Sequence, residues 1–461
     1  MVTRLTTRWV ALLGALVLVV AACGDAAEET TTSPAEEATT STAPAAVEPA
    51  EETTTSTAPA AVEPQTLTLW HNQADPDAVK ALYERFEQDT GHTLDIVLIP
   101  QDGFETATLQ KWATGERPDI LSYHGSPEKF LALNPEENLR DLSNEEYVAR
   151  AVPGLLDTNG NLNGKVYALI LRPPTPWGFY TNKQLVEELG ITLPTNASEI
   201  VQYCKDLRAS NPELTPIAEG AGSEWPPFVA IGAFMADPLA DGWLDALQQR
   251  TVKLDDPDSP WVGSLNHYSD MLEAGCFADD FLSATYEDAY AALVEGDAVL
   301  LSMLSSVLLD IGDAFGDDAL ENIGFQAWSA TRPMVTIETS PHGTYYLPIT
   351  GDAAKEAAAL EFIRWASSPE VYADFLAAVG EPSNFLDVPS PSGLSNPVLE
   401  GQAAVEEFGA INVIWNFLPG ADIGCSLDIV AETGSVEDCA AEFQSTAELG
   451  FAAADLPGWE D

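Results

Sequence analysis

The chain is short of basic residues: it has 19 Lys and Arg against 73 Asp and Glu in 461 residues, and a net charge of −54. Proteins that bind nucleic acids neutralise phosphates with clustered Lys and Arg, so this balance argues against a nucleic-acid partner. The acidic residues are spread along the chain and are not confined to one tail. We interpret the charge as a solubility trait, of a kind suited to a salty medium, and not as a site.

An apolar run near the amino terminus is too short to span a membrane. It covers residues 9–20 and is broken only by Gly14, whereas a membrane helix needs about 20 apolar residues. Arg4 and Arg8 precede the run and the small residues Ala21 and Ala22 follow it, a pattern typical of an export signal. The stretch around Cys23 resembles a bacterial lipobox. That resemblance implies a signal peptide over residues 1–22 and lipid attachment at Cys23. The alternative is an ordinary secretory signal in which Cys23 is not modified.

The segment after Cys23 lacks Lys, Arg and aromatic residues. Residues 24–64 consist mainly of Glu, Thr, Ala and Pro, and the stretch 36–49 returns almost unchanged at 51–64. Such a composition buries too little apolar surface to offset the entropy lost on ordering. We therefore expect residues 23–64 to form a disordered, acidic, extended tether.

Cysteine is scarce, and four residues remain after Cys23. An even number outside the cytoplasm favours two disulfides, for which three pairings are possible. The short intervening loop favours Cys425 with Cys439, which leaves Cys204 for Cys276. No CxxC or Cys/His spacing typical of a zinc site occurs, and no cofactor is expected.

The remaining part, of about 400 residues, is too long for one hydrophobic core and suits two lobes. It begins with a β-α-β pattern: a strand at 67–70, a helix from Asp75-Pro76, and a strand at 94–99 that is apolar enough to be buried on both faces. The helix has one apolar face, made of Val79, Leu82, Tyr83 and Phe86. A helix at 104–114 and a strand at 119–123 follow. This alternation predicts a parallel sheet with ligands bound beyond the carboxyl ends of its strands, at loops 71–75 and 123–126.

A series of motifs carries a family resemblance. It includes Trp70 with its polar loop and the stretches 115–120 (GERPDI), 163–169 (NGKVYAL), 179–185 (FYTNKQL) and 291–299 (AALVEGDAV). Their order and spacing resemble the extracellular solute-binding proteins, and most closely the carbohydrate-binding group that feeds ABC importers and includes the maltose-binding proteins. The resemblance covers residues 65–455.

This resemblance implies an α/β, two-lobe, periplasmic-binding-protein-like fold with hinge crossings, preceded by the disordered linker. The first lobe would comprise residues 65–172 and 328–379, and the second 173–327 and 380–461. The chain would cross between the lobes near 172–177, 326–329 and 379–382. Closure about such crossings is a hinge motion that a ligand stabilises by touching both lobes.

The function implied is capture without covalent chemistry. The protein would be a monomer that closes over a sugar or oligosaccharide and presents it to the transmembrane subunits of an ABC permease. It would be tethered by lipid on the extracellular face of the cytoplasmic membrane, or lie in the periplasm.

A sugar site needs planar hydrogen-bonding groups and aromatic rings for the C–H faces. The chain departs from the family where relatives often place a glycine and a ligand-facing tryptophan, because residues 301–307 contain no aromatic ring. The candidates for ligand contact are Asn72, Gln73, Asp75, Tyr123, His124, Trp177, Glu224, Trp225, Trp328, Tyr345 and Trp415.

Three alternatives remain open at this point. His71, His124 and His342 with nearby tyrosines would suit iron or zinc import, and a peptide or polyol would suit the same fold. A lipid-anchored glycosidase needs two carboxylates, but pairs are expected by chance among 73 acidic residues. The chain has no Gly-x-Ser-x-Gly elbow, His-Glu-x-x-His motif or phosphate loop.

Overall fold

The computed structural model describes residues 63–101, 103–339, 342–412 and 424–453. The predicted signal peptide, Cys23, nearly all of the predicted tether and Trp415 lie outside these residues. The strands, in chain order, are β1 Thr66–Asn72, β2 Thr93–Ile99, β3 Ile120–Ser122, β4 Asn161–Leu162, β5 Lys165–Val166, β6 Ala168–Ile170, β7 Thr175–Asn182, β8 Thr215–Ala218, β9 Ala298–Leu304, β10 Ile323–Gln326, β11 Val335–Glu338, β12 Thr344–Tyr346 and β13 Ala410–Asn412.

The α-helices lie on both faces of the sheets, and two 3₁₀ turns, Glu146–Arg150 and Ala221–Ser223, accompany them. The helices, in chain order, are α1 Asp77–Thr90, α2 Phe104–Ala113, α3 Pro127–Leu131, α4 Pro135–Asn138, α5 Leu155–Thr158, α6 Lys183–Leu189, α7 Ala197–Ser210, α8 Pro227–Phe234, α9 Ala236–Ala240, α10 Trp243–Gln248, α11 Pro260–Glu273, α12 Tyr286–Glu295, α13 Val307–Phe315, α14 Asp317–Glu321, α15 Ala353–Ala366, α16 Pro369–Val379, α17 Asn396–Phe408, α18 Gly424–Val430 and α19 Val436–Ala453.

Two separate sheets organise the fold. The first has the order β2-β1-β3-β12-β6, with β1 parallel to β2 and β3, and β12 antiparallel to β3. The second has the order β13-β11-β7-β9-β8, with β10 also paired to β7. Each sheet is packed between hydrophobic clusters of its own, so the α/β two-lobe class implied by the resemblance is confirmed.

The chain passes between the sheets at residues 171–174 and again between β11 and β12. The first passage, from β6 to β7, agrees with the crossing expected near 172–177. β11 pairs with β7 and β13 and thus keeps the chain in the second sheet as far as Glu338, past the crossing expected at 326–329. Phe385 and Val388 pack into the core beside α16, whereas α17 packs against the second sheet, so the third passage follows residue 388 and not 379–382.

Local signals for the helices agree with the structure at several positions. α1 buries Val79, Leu82, Tyr83 and Phe86, as predicted, and Gly91 ends it in the left-handed conformation with φ 78°. The helix starts at Asp77, with Pro76 in the capping position. Asp75 does not cap it, because the Asp75 carboxylate is bonded to two histidines.

The predicted burial of residues 94–99 on both faces is wrong. β2 is the edge strand of the first sheet, and the side chains of Ile96 and Leu98 are 42% and 56% exposed. The neighbouring strand β1 is central, and its Leu67 and Leu69 are fully buried. A run of apolar residues thus identified the strand but not its place in the sheet.

Both expected disulfides form. Cys204 on α7 is bonded to Cys276, which follows α11, and Cys425 on α18 is bonded to Cys439 on α19. The first bond ties together two helices that pack on the second sheet. Among the helices that the structure describes, none is both long enough and apolar enough to cross a bilayer.

The difference between β1 and β2 is testable with a matched pair. We expect Leu69→Ala to lower the free energy of unfolding by about 2–5 kcal/mol, because it leaves a cavity in the core. Leu98→Ala removes the same atoms from an exposed position and should change it by about 0.5 kcal/mol or less. Urea denaturation followed by circular dichroism measures both, and equal losses would contradict the edge position of β2.

Candidate functional site

Polar side chains collect at one edge of the first sheet. β1 and β3 are parallel, so the loops after their carboxyl ends, at 71–75 and 123–126, lie at the same edge. β12 runs antiparallel to β3 and begins there, which brings the crossing segment 339–343 to the same place. Three stretches that are distant in the sequence therefore meet beside the crossings.

Asp75 is the centre of a buried hydrogen-bond network. Its Oδ2 lies 2.6 Å from Nδ1 of His71, its Oδ1 contacts Nδ1 of His342, and the hydroxyl of Tyr83 donates to Oδ2 at 3.3 Å. Tyr345 donates in turn to the Tyr83 hydroxyl at 3.2 Å. Burial by itself would raise the pKa of Asp75, but the hydrogen bonds from His342 and His71 outweigh it and hold that pKa below its usual value. Asp75 is therefore an ionised, fully engaged carboxylate.

His124 forms a second buried ionic group. Its Nε2 lies 2.7 Å from Oε1 of Glu105, and its Nδ1 lies 3.4 Å from Oε1 of Glu338. Burial opposes the charge of the imidazole, but Glu105 and Glu338 raise its pKa to about 9. Burial likewise would raise the pKa of Glu105, but His124 and Lys129 lower it to about 2. The histidine is thus a cation that joins α2 to the end of β11.

Arg172 lies at the first crossing and is buried. Its Nε donates to Oε2 of Glu381 at 2.8 Å and its Nη2 to Oε1, while Nη1 has no hydrogen-bond partner among the described residues. The arginine lies across Gly343, where an added Cβ would be 3.0 Å from its Cγ. A residue other than glycine at 343, where φ is 88°, would displace the arginine side chain.

The second sheet presents an aromatic surface from a rigid loop. β8 and β9 are parallel, so the loop after β8, which carries Glu224 and Trp225, lies at the same edge as the start of α13. Gly220 and Gly222 let this loop lie directly on the backbone of residues 283–286, because added Cβ atoms would come within 2.5 and 2.7 Å of it. The backbone amide of Tyr286 donates to Oγ of Ser223 at 3.0 Å.

A series of ring contacts continues from this loop. The centroids of Trp225 and Tyr286 are 5.6 Å apart, those of Tyr286 and Tyr290 5.9 Å, and those of Tyr290 and Phe315 6.2 Å. Trp225 and Tyr286 are half-buried, so each keeps part of its surface available. Rings held in this way suit stacking on an apolar ligand face.

The candidate residues from the sequence fall into distinct environments. Gln73 and Glu224 are exposed and Trp225 is half-exposed, whereas Asn72 is buried and accepts the backbone N–H of Ala74. Asp75, His124 and Tyr345 belong to the internal networks. Tyr123 is fully buried and lies edge-on to His124, with ring centroids 5.6 Å apart.

Trp177 and Trp328 lie in the core beneath the second sheet. Trp328 stacks on Phe179 at 5.1 Å, and Trp177 packs on Gly232. Their indole nitrogens have no hydrogen-bond partner in the part of the chain that the structure describes. Two cavities, of about 490 and 600 Å³, lie elsewhere, and neither is lined by a residue from the candidate set.

The sequence analysis did not identify three residues of this region as candidates for the site: Arg172, Tyr286 and Asp310. Arg172 had a signal, because it directly precedes the proline-rich crossing 173–176. Tyr286 and Asp310 had none, because only the parallel pairing of β8 and β9 brings them beside the Trp225 loop.

The three histidines of the metal alternative do not converge. His71 and His342 share Asp75, whereas His124 lies between Glu105 and Glu338. Within the described ranges, no group of three or more His, Cys, Asp or Glu side chains is arranged to hold a metal ion.

Comparison with known proteins gives a family and a fold. A family model described as bacterial extracellular solute-binding protein matches residues 70–373. Among solved structures, a chitin oligosaccharide binding protein is similar with a TM-score of 0.71 and 18% identity, over 84% of this chain and 100% of that one. A sugar transporter from Bacillus licheniformis in complex with stachyose gives 0.65 and 19%, over 83% and 100%. SBP RafE in complex with raffinose gives 0.65 and 17%, over 84% and 99%. No curated protein sequence matches the chain.

The ion pairs of His124 predict a pH-dependent stability. The folded pKa of His124, about 9, exceeds the ordinary 6.5, so its contribution is complete below pH 6.5 and is lost as the pH rises through 9. The pKa of Glu105 is lowered from 4.5 to about 2, so its contribution is present above pH 4.5 and is lost as the pH falls towards 2. We expect the stability lost in His124→Gln to be greatest between these limits. Urea denaturation of both proteins at several pH values measures it, and a constant difference from pH 3 to 9 would contradict the ionic pairing.

Proposed function

Because this chain belongs to the family of bacterial extracellular solute-binding proteins, we propose that it captures a sugar or oligosaccharide between its two halves. It delivers this ligand to the membrane subunits of an ABC importer. Binding proceeds by hinge closure without covalent chemistry, and the protein acts as a monomer.

The observation that carries the proposal is the pairing of unlike surfaces beside the crossings. The second half offers the half-exposed rings of Trp225 and Tyr286. The first half offers a polar edge with the exposed Gln73 and the half-buried His342. Sugars combine apolar C–H faces with rims of hydroxyl groups, so they match rings on one side and hydrogen-bonding groups on the other.

The solved structures of the same fold support a carbohydrate. One of those proteins binds chitin oligosaccharide, and two others are in complex with raffinose and stachyose. Applied to this chain, these ligands favour a sugar over iron, zinc, a peptide or a polyol. We use these oligosaccharides as the first probes.

The hinge consists of the chain passages between the sheets. The lobe bounds expected from the sequence, 65–172 with 328–379 and 173–327 with 380–461, stay a prediction. Strand pairing favours a second boundary within 339–343, because β11 belongs to the second sheet. Rotation at 171–174 and 339–343 would bring Trp225 towards the polar edge.

Outside the folded part, we propose that lipid on Cys23 anchors the protein and that residues 24–64 act as its tether. The anchor keeps it at the extracellular face of the cytoplasmic membrane, or in the periplasm, close to the permease. This placement accords with the extracellular location of the family.

Removal of Trp225 tests the sugar platform. We expect Trp225→Ala to weaken the binding of an oligosaccharide by about tenfold or more, because a stacking ring is lost. Titration calorimetry with chitin oligosaccharides, raffinose and stachyose measures the affinity. Trp365→Ala is the control: this ring packs on Phe86 in the first half, so the variant should melt earlier but bind normally. Equal affinities of wild type and Trp225→Ala would remove this residue from the site.

Anchoring is tested separately. We expect Cys23→Ser to move the protein from the membrane fraction to the soluble or secreted fraction, because the residue that carries the lipid is gone. Detergent phase partitioning of cells that express both forms measures this. Continued membrane association of the variant would contradict lipid attachment at Cys23.

A further inference from the structure

Asp310 lies at the edge of the second sheet that carries Trp225. It is on the first turn of α13, directly after β9, and β9 is parallel to β8, whose carboxyl end leads to the Trp225 loop. The buried residues of α13 are Val307, Leu308 and Ile311, whereas Asp310 is half-buried. Its carboxylate forms no hydrogen bond and no ion pair with the described residues.

The charged groups around Asp310 come from both halves. The backbone amide of Ser305, directly after β9, donates to the carbonyl oxygen of Pro176 at 3.0 Å, so the start of α13 lies beside the first crossing. The charged groups that act on Asp310 are His342 and Arg172 at the two crossings, Asp313 on α13 and Glu287 on α12. Burial raises the pKa of Asp310 to about 6, against the opposing effect of His342 and Arg172. α12, which carries Tyr286 and Tyr290, packs against α13, and burial and the charge of Asp310 raise the pKa values of both tyrosines.

A donor at the first crossing also lacks a partner within the described part of the chain. Nη1 of Arg172 is buried and forms no hydrogen bond with the described residues, although the same guanidinium binds Glu381 through Nε and Nη2. A buried donor without a partner is costly, so a group that accepts from it would stabilise the closed arrangement. Among the described residues, an acceptor on the second half and a donor at the crossing thus both lack a partner.

We propose that Asp310 and Nη1 of Arg172 form a subsite for one uncharged, hydroxyl-bearing ring of an oligosaccharide, seated against Tyr286, and that Asp310 determines specificity by rejecting uronic acids. This inference rests on the sugar-binding function proposed above. A hydroxyl group both donates and accepts, so adjacent hydroxyls on one ring satisfy the carboxylate and the guanidinium together.

Charge explains the rejection of uronic acids. Arg172 is already paired with Glu381, and Nδ1 of His342 is already engaged by Asp75. Asp310, Asp313 and Glu287 therefore leave the subsite acidic, and a sugar carboxylate placed there would be repelled.

Asp310→Asn tests the subsite, and Asp318→Asn on α14 is the control because that residue is exposed and outside the subsite. We expect Asp310→Asn to weaken the binding of the neutral oligosaccharide that wild type prefers by about tenfold to a hundredfold, the loss typical of hydrogen bonds to a charged group. The probes are chitin oligosaccharides, raffinose, stachyose and xylo-oligosaccharides, together with oligogalacturonate. The variant should also discriminate less against oligogalacturonate, and Asp318→Asn should match wild type in both respects.

A pH series provides an independent readout. In wild type the affinity should fall as the pH decreases through about 6, because the protonated carboxyl group is a weaker acceptor. The affinity of Asp310→Asn should not show this fall, because the variant has no carboxyl group at position 310.

The outcomes separate the two proposals. If wild type binds none of the neutral probes and none raises its melting temperature, the sugar-binding function fails and the subsite fails with it. If wild type binds a probe but Asp310→Asn binds it equally well at every pH, the function stands and the subsite is wrong. Tighter binding of oligogalacturonate than of any neutral probe would also overturn the subsite.

Discussion

The arrangement of this molecule depends on the buried ion pair between Arg172 and Glu381. Two charges removed from water are tolerated only when each neutralises the other, so loss of either partner would leave an uncompensated charge in the interior. Arg172 is also packed against Gly343. The pair therefore fixes the first passage, the second passage and the segment after α16 relative to one another, at the proposed hinge.

The two halves contribute different chemistry on this frame. In the first half, Asp75 and His124 are engaged by neighbours within their own networks, and they give a stiff polar wall. In the second half, Trp225, Tyr286 and Asp310 keep surface or hydrogen-bonding capacity in reserve. We accordingly assign ligand selectivity to the second half, whereas the first half supplies a preformed surface on which the second half closes.

Local signals in the sequence predicted local structure well. The apolar face of α1 was predicted from its spacing, and the short loop between Cys425 and Cys439 favoured the disulfide pairing that the structure has. What depended on long-range pairing was not predictable. Asp75 looked like a helix cap, but His342, 267 residues away, engages its carboxylate. The second passage was misplaced because nothing near 335 shows that β11 joins the second sheet, and Asp310 was missed for the same reason.

The loop that carries Trp225 has a consequence for the kinetics of exchange. Its glycines lie flat on the backbone of residues 283–286, and Oγ of Ser223 accepts the amide of Tyr286, so the backbone that carries the indole is held in place before a ligand binds. In the proposed binding cycle, little backbone entropy would then be lost on contact, and most of the free-energy cost of binding would lie in rotation of the halves. Escape of a bound ligand would accordingly be governed by how often the hinge reopens.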